Sequence, residues 1–265
     1  MPHISFSELK NWDKCAYYHK LVHLDKLKGF EGNAHTAFGN AVHDVCEHIL
    51  LTKDEDVCNL QDMFESKFLK ALQRLPEHVR NDLKESKNKK LVTDMRTQGR
   101  DLVPLVLESV SEYFNEYETV STEERLMQNI DEFDAADYKF KGFIDLVVKT
   151  KDGKYHIIDW KTCSWGWDAR RRAEPMTTYQ LTYYKHYFAK KHNIDPSDIE
   201  THFALLKRTA KKDRIEFFRV TSGPKKTTNA INLLSKALYN INKGNFVKNR
   251  TSCSNCEFYK TKHCG

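Results

Sequence analysis

The chain has 265 residues and a formal net charge of +6, because 43 Lys and Arg residues stand against 37 Asp and Glu residues. Apolar residues make up 40% of the sequence, and the longest apolar runs, such as residues 102–107, are far shorter than the roughly 20 residues that span a bilayer. Since the N-terminal segment also lacks a signal or transit pattern, the sequence excludes the membrane, secreted and fibrous classes and predicts a soluble cytoplasmic protein.

The first half of the chain has helical patterning. Ser5 or Ser7 is a suitable N-cap for a first helix that reaches about Leu24. Pro104 is expected to bend or interrupt a later helix, because proline has no N–H to donate. The charged stretch 81–90 is poor in apolar residues and is the candidate for a mobile linker. Further helices are predicted at residues 38–51, 60–75 and 90–117.

After Val120 the pattern changes to short segments that alternate polar and apolar residues and are rich in β-branched and aromatic side chains. An Asp-Gly turn at residues 151–154 joins two of these segments into a predicted hairpin. Strands are predicted at residues 125–133, 138–149, 154–162, 202–207 and 214–221, and helices at residues 175–192 and 225–243.

Three charged residues lie in the otherwise apolar strands of the predicted hairpin. Asp145 shares a strand face with Phe143 and Val147, and Asp159 shares one with Lys161, because side chains alternate along a strand. A buried Asp–Lys salt bridge is one explanation of this pattern. The other is a catalytic centre, in which two carboxylates bind Mg²⁺ or Mn²⁺ and the lysine orients water or neutralises a phosphate.

Four short motifs follow one another along the chain. They are a Gly-x-x-x-His helix motif at Gly39 to His43, a Gly-x-x-Asp strand at Gly142 to Asp145, an Asp-x-Lys strand at Asp159 to Lys161, and a Gln-x-x-x-Tyr helix at Gln180 to Tyr184. In this order they resemble the motifs of the PD-(D/E)xK nucleases, specifically the RecB-like exonuclease branch. The family's proline before the first acid is absent, since Ile144 stands there.

The resemblance implies an α/β fold in which helices flank a central mixed sheet of the restriction-endonuclease type. It implies a single nuclease domain over residues 1–265. Its parts would be a mainly helical region at residues 1–119, the sheet core at residues 120–222, and a C-terminal helix with a Cys-ligated tail at residues 223–265.

The implied activity is metal-dependent DNA exonuclease activity on linear ends, single-stranded or duplex, in recombination, repair or replication. Since the chain has no Walker-type phosphate loop, a helicase or recombination protein would be a separate partner. The alternatives are a DNA-binding or recombination scaffold with little activity, and a DNA endonuclease.

The resemblance also implies a metal centre with a catalytic lysine at Lys161. The implied ligands of Mg²⁺ or Mn²⁺ are His43, Asp145, Asp159 and the main-chain carbonyl of Trp160. A histidine on an apolar helix face can also be an ordinary core residue, which is the alternative for His43.

The resemblance also assigns roles to three further residues. Glu124 occupies roughly the place of an acidic residue in this branch and is assigned as a metal ligand, although Glu123 competes for the role. Gln180 and Tyr184 lie four residues apart, hence on one helix face, and the resemblance places them near the catalytic centre. Their alternative is an ordinary helix surface.

Basic clusters at residues 170–172, 207–214 and 225–226 stand out against the mild net charge. A phosphate-binding face and a solvated surface explain them equally well. Trp165 and Trp167 either stack on unpaired bases or pack in the core.

The cysteines are placed unevenly, with three close together near the C-terminus and one near the N-terminus. In a reducing compartment such a cluster indicates metal ligation more than cross-links. Cys15, Cys253, Cys256 and Cys264 resemble the iron–sulfur site of AddB-type and CRISPR-associated RecB-like nucleases. Four thiolates suit a 4Fe–4S cluster. They also suit Zn²⁺, and free thiols are the third interpretation.

Overall fold

The computed structural model describes residues 2–132 and 138–265. The N-terminal part begins with strand β1 (His3–Ser5), helix α1 (Phe6–Lys14) and helix α2 (Ala16–His19), which continues as a π-helical turn to Leu24. The helical region that follows contains α3 (Ala34–Thr52), α4 (Val57–Gln73), α5 (Glu77–Asp82), α6 (Ser86–Leu102) and α7 (Val106–Phe114). The remainder contains β2 (Tyr117–Asn129), β3 (Lys139–Thr150), β4 (Tyr155–Cys163), α8 (Ala169–Ala173), α9 (Pro175–His192), β5 (Ile199–Lys207), β6 (Ile215–Arg219) and α10 (Pro224–Asn242).

The N-terminal helices differ in two ways from the prediction. Ser5 rather than Ser7 is the cap, because its side chain accepts a hydrogen bond from the Glu8 N–H. The single helix predicted up to Leu24 is divided at Cys15, whose extended backbone ends α1 and begins α2. As predicted, Pro104 interrupts a helix, and a 3₁₀ turn there separates α6 from α7.

The stretch 81–90 is not a linker. Helix α5 extends to Asp82 and α6 begins at Ser86, so only a short connection separates them. Among the strands, β2 begins at Tyr117, well before the predicted residue 125. The predicted end of that strand, Phe133, lies outside the described residues.

The sheet is mixed, and its order is β1-β3-β4-β5-β6 with β2 paired to the other edge of β3. Antiparallel pairs join β2 to β3, β3 to β4 and β5 to β6, while β1 runs parallel to β3 and β4 parallel to β5. The parallel pair β4–β5 is connected through α9, as parallel strands require. The predicted α/β class with a central mixed sheet flanked by helices is therefore confirmed.

Helices cover both faces of the sheet. Residues of α1, α9 and α10, such as Leu9, Leu181 and Leu234, form one core with the sheet. Residues of α3, α4, α6 and α7 form a second core on the opposite face, where Phe38 and Phe64 pack near Trp160. None of the described helices is long and apolar enough to cross a membrane.

Strand β3 changes partner along its length, and this change makes a fork in the sheet. Its first residues, 139–141, pair with β1, whereas residues 146–149 pair with β4. Toward the start of β3, the last residue pair between β3 and β4 is Leu146 with Ile158. Beyond this pair the two strands separate. Strand β4 remains paired with β5 throughout.

Candidate active site

Two carboxylates occupy the fork between β3 and β4. Asp145 and Asp159 each adjoin the last pair of these strands, so they face one another where the sheet divides. The Asp145 carboxylate fills part of the gap, because its Oδ2 accepts a hydrogen bond of 2.7 Å from the main-chain N–H of Trp160. Asp159 is 1% exposed. The residues that the sequence singled out therefore meet at one point.

Helix α3 brings His43 to the fork from one side of the sheet. Asn33 and Thr36 form a capping box that fixes the start of the helix. Gly39 lies against β4, where a Cβ atom would lie 3.3 Å from Thr162 Oγ1, so glycine permits a close approach. The His43 Nδ1 atom is 3.7 Å from Asp145 Oδ2. Burial and the nearby Lys161 ammonium lower the pKa of His43 to about 4, which keeps the imidazole neutral.

Helix α9 brings two polar side chains to the fork from the other side. The Gln180 side-chain amide donates to Asp159 Oδ1 at 2.7 Å and to the Tyr184 hydroxyl at 3.0 Å. Gly142 makes room for this tyrosine, because a Cβ atom there would lie 2.9 Å from the ring. Lys161 forms an ion pair with Asp159. The structure thus places Gln180 and Tyr184 beside the two carboxylates.

The electrostatics of the fork favour a bound cation. Burial raises the pKa of Asp145 and of Asp159 to about 6 each, and the Lys161 ammonium opposes the rise in both cases. Asp159 Oδ2 is buried beside that ammonium and makes no well-aligned hydrogen bond. Two desolvated carboxylates, a neutral imidazole and a main-chain carbonyl form a donor set that fits Mg²⁺ or Mn²⁺.

Glu124 does not lie at the fork, which corrects the sequence-based placement. Its buried carboxylate accepts hydrogen bonds from Lys191 and from Ser121, and it also contacts His192. The neighbouring Glu123 lies on β2 between the pairs Thr122–Leu146 and Glu124–Ile144, and hence opposite Asp145.

The surroundings of Glu123 place it with the acids of the fork. Burial and then the Asp145 charge raise the pKa of Glu123 to about 7. The backbone at Glu123 has a positive φ of 47°, so regular strand alternation does not hold there; of the two glutamates, Glu124 is directed to Lys191 and His192, and Glu123 is the one beside Asp145. The sequence alone did not show which one, because the register of β2 on β3 shifts by one residue between Thr119 and Ser121.

The tryptophans and arginines after β4 differ in their burial and in their contacts. Trp167 is buried in the core, whereas Trp165 is 72% exposed. The Arg171 guanidinium lies 4.5 Å from the Trp167 ring centre. Arg172 donates to Glu216 at 2.6 Å and to the Trp167 carbonyl, so this arginine supports the fold. Three cations of the 207–214 stretch are likewise engaged: Lys207 with Glu216, Arg208 with Gln98 and Ser164, and Arg214 with the Gln98 carbonyl.

A groove of about 650 Å³ between α3 and α4 was not identified from the sequence. Lys67, Lys70 and Arg74 of α4 line it, and Phe30, which is 59% exposed, lies at its edge. Asp44, the residue after His43, also lines the groove, which therefore reaches the helix that carries the candidate ligand. The spacing of the three cations by three and four residues is the signal that could have revealed this basic helix face.

The four cysteines singled out from the sequence line one small pocket between α2 and the C-terminal tail. The Asn249 N–H donates to the Cys15 sulfur at 3.3 Å, and the Tyr17 hydroxyl donates to the His263 carbonyl at 3.2 Å. Tyr18 and Phe258 pack together beside the pocket. The structure therefore brings the two ends of the described chain together around four thiols.

Comparison with known proteins identifies the superfamily of the chain. The model of the PD-(D/E)XK nuclease superfamily matches residues 3–261, so the chain belongs to this superfamily, and the resemblance seen in the sequence is confirmed at that level. Members of the superfamily usually use divalent metals. No curated protein matches the chain in sequence.

Solved structures agree with the fold. The crystal structure of a candidate exonuclease from Eubacterium rectale has a TM-score of 0.61 and 13% sequence identity, and the match covers 96% of this chain and 86% of that chain. At this identity the similarity concerns the fold alone. The crystal structure of SSO0001 matches over 95% of this chain and 92% of that chain with 18% identity, but its TM-score of 0.38 is too low to support an argument.

Proposed function

We propose that the protein is a metal-dependent DNA exonuclease of the RecB-like branch, which hydrolyses phosphodiester bonds at the ends of linear DNA. The observation that carries this proposal is the meeting of Asp145, Asp159 and Lys161 at the fork between β3 and β4, with His43 on one side and Gln180 on the other. A salt bridge alone would not account for two carboxylates that are both held away from water.

The metal ligands in this proposal are Asp145, Asp159, His43 and the Trp160 carbonyl, with Glu123 in place of Glu124 as the nearby acid. A bound Mg²⁺ or Mn²⁺ supplies positive charge for the phosphate and lowers the pKa of the attacking water. The Lys161 ammonium neutralises the phosphate or orients that water from its position beside Asp159.

Gln180 and Tyr184 act as positioning residues in this centre. The Gln180 amide holds one oxygen of Asp159 and, through its second contact, the hydroxyl of Tyr184. Burial raises the pKa of Tyr184, so its hydroxyl stays protonated and can donate to a phosphate oxygen while it accepts from the glutamine.

The groove between α3 and α4 is the proposed path of a DNA strand toward the fork. Lys67, Lys70 and Arg74 supply charge for the phosphates, and the exposed Phe30 ring supplies a stacking surface for a base. Exposed Trp165 offers a second stacking surface after β4. A groove of this kind suits a single DNA strand. A frayed DNA end, or a separate helicase or recombination protein in the cytoplasm, would provide that strand.

A 4Fe–4S cluster held by Cys15, Cys253, Cys256 and Cys264 is the proposed occupant of the cysteine pocket. All four cysteines line this one pocket, so their thiolates can contribute to a single site. Four thiolates are the ligand set of a 4Fe–4S cluster, and Zn²⁺ is the alternative occupant. The cluster would hold the tail on α2 rather than transfer electrons.

The test compares three end-labelled or closed DNA substrates: linear single-stranded, linear duplex and covalently closed circular DNA, each with Mg²⁺ or Mn²⁺ and with a chelator. We expect metal-dependent loss of the linear substrates and an intact circle. Cleavage of the circle at an equal rate would support an endonuclease instead. Binding without cleavage of any substrate would support a DNA-binding scaffold.

A further inference from the structure

A second cluster of potential metal ligands lies at the starts of β4 and β5. His156 of β4 pairs with Glu200 of β5, and His202 lies two residues further along β5 on the same face. His156 precedes Asp159 by three residues, which is about 10 Å along a strand, and the two side chains point to opposite faces. The cluster is therefore separate from the nuclease centre.

The three side chains converge, and the two imidazoles share a hydrogen bond that a bound metal ion would replace. The His156 Nδ1 and His202 Nε2 atoms are 3.1 Å apart, and Glu200 Oε2 is 4.0 Å from His156 Nδ1. All three atoms lie within 4.8 Å of one another. Two imidazoles bound tetrahedrally to zinc at about 2.1 Å have their nitrogens about 3.4 Å apart, so only small shifts are needed to bind this metal.

The other polar atom of each side chain already has a partner that orients it. Tyr113 holds His202 through Nδ1 at 3.2 Å, and Thr150 holds His156 through Nε2 at 3.0 Å. The second carboxylate oxygen of the glutamate, Oε1, is 3.2 Å from the Lys154 ammonium and 3.1 Å from the Arg219 guanidinium. Hydrogen bonds of this outer type fix the tautomer and the orientation of metal-binding side chains.

Burial prepares the two imidazoles for metal binding. Residues His156 and His202 are 8% and 3% exposed, and burial lowers the pKa of both rings, that of His202 to about 3. Both rings are thus neutral at pH 7 and have a lone pair to donate. The two cations beside Glu200 have side chains that are 43% and 58% exposed, so water screens their repulsion of a bound ion.

The ligand set selects the type of metal. Two imidazole nitrogens and one carboxylate oxygen suit Zn²⁺, whereas Mg²⁺ and Ca²⁺ favour sites in which oxygen ligands predominate, as they do at the fork. The cluster borders a surface pocket of about 480 Å³, which leaves the fourth position open to water. Three protein ligands and one open position are typical of zinc sites that retain a bound water.

We propose that His156, Glu200 and His202 form a zinc site that joins the starts of β4 and β5. The site does not depend on the nuclease activity, because it shares no residue with the fork. Bound zinc is expected to stabilise the folded protein, since the unfolded chain does not bring the three ligands together.

The test uses the purified full chain, with Zn²⁺ as the probe. After dialysis against Zn²⁺, the wild-type protein is expected to retain one more equivalent than either the His202→Gln or the Glu200→Gln variant. The control is His186→Gln, since that ring contacts Glu132 on the other side of the sheet and is not part of the cluster. Equal zinc content in all four proteins overturns the proposal.

A measurement on the wild type decides the matter if the variants fail to fold. Crystals soaked in Zn²⁺ and measured at the zinc absorption edge are expected to show an anomalous peak between the two imidazoles. Absence of that peak, with zinc in excess, overturns the proposal. Both measurements read metal rather than cleavage, so they remain valid if the protein proves to have no nuclease activity.

Discussion

Asp145 and Asp159 combine a buried position with a neighbouring ammonium, and three charged groups in so small a space must act together. We therefore expect Asp145→Asn, Asp159→Asn and Lys161→Ala each to abolish cleavage without loss of the fold. Groups that act as a unit have non-additive effects, so double variants should lose little more than single ones.

Cleavage is measured on end-labelled DNA, and retention of the fold is measured in parallel by far-ultraviolet circular dichroism. Asp62→Asn is the matched control, because this carboxylate lies on α4 with its side chain 75% exposed. Near-normal turnover of Asp159→Asn would contradict the assignment of the fork as a nuclease centre.

Because Asp145 is buried, we expect its effect on the free energy of unfolding to depend on pH. The pKa of Asp145 in the folded protein is about 6, above the ordinary value of 3.8, so its contribution to stability is complete below about pH 4 and is lost as the pH rises past 6. In a chelator at pH 8, Asp145→Asn should therefore raise the free energy of unfolding by about 1–3 kcal/mol, and at pH 4 the difference should vanish.

Urea unfolding at the two pH values measures this difference. Mg²⁺ or Mn²⁺ should reduce the advantage of the variant at pH 8, because a bound cation compensates the wild-type carboxylate. A variant that is equally or less stable than the wild type at pH 8 would show that the carboxylate is not destabilising there.

Alternation in the sequence placed Asp159 and Lys161 on one strand face, and in the structure the two side chains form an ion pair. It did not distinguish Glu123 from Glu124, because the choice depends on a one-residue shift in the register of β2 that leaves no local signal. The basic groove also escaped prediction, since its walls come from α3 and α4 and from the loop before them.

At the scale of the strand, the two glutamates of β2 should respond in opposite ways. Glu123→Gln is expected to lower cleavage at least about tenfold with little loss of stability, because that side chain faces Asp145. Glu124→Gln should leave cleavage nearly unchanged but lower the free energy of unfolding by about 1–3 kcal/mol, because Lys191 and His192 lose a charged partner.

Each glutamine variant is the control of the other, since they differ by one position and carry the same chemical change. Cleavage rates and urea midpoints, measured on both, separate the two roles. The reverse pattern would show that the register of β2 on β3 differs from the one described.

At the scale of the helix, α8 should contribute unequally to DNA binding. Arg170→Ala with Arg171→Ala should weaken binding and reduce the log–log dependence of affinity on salt by about 0.7 per lost contact on a single strand. Arg172→Ala should instead lower stability, because this arginine bonds to Glu216. An unchanged salt slope in the double variant would assign Arg170 and Arg171 to the solvated surface.

Helices and strands with clear periodicity were predicted within a few residues, and α9 was predicted at the bounds it has. The errors fell where local pattern does not decide the structure. Cys15 interrupts a continuous helical pattern because the tail binds there, and residues 81–90 have Leu83 as their one apolar side chain although helices occupy most of them. Tertiary contacts, which sequence periodicity does not report, explain both.

At the scale of the molecule, the cysteine pocket joins segments from both ends of the described chain. Cys15→Ser and Cys256→Ser are expected to lower the free energy of unfolding by about 2–5 kcal/mol, the range for loss of a native cross-link, and to reduce cleavage indirectly. Cys58→Ser on α4 is the control, since this exposed cysteine lies outside the pocket.

Iron and sulfide analysis of protein purified without oxygen distinguishes the candidates. About four irons per chain are expected for the proposed cluster. Zinc that is lost in Cys256→Ser, without iron or sulfide, would replace the cluster with a zinc site, and absence of both metals would leave four free thiols.

The pairing of β1 with β3 also has a consequence for folding during synthesis. Ile4 is translated well before its partner Phe140, and the tail that contacts Cys15 is translated later still. Contacts between residues so far apart in sequence form only after the intervening chain has been made, and they form slowly. A nascent chain that has not yet reached Cys264 therefore lacks the contacts between α2 and the tail, so this part of the fold closes after the sheet has been translated.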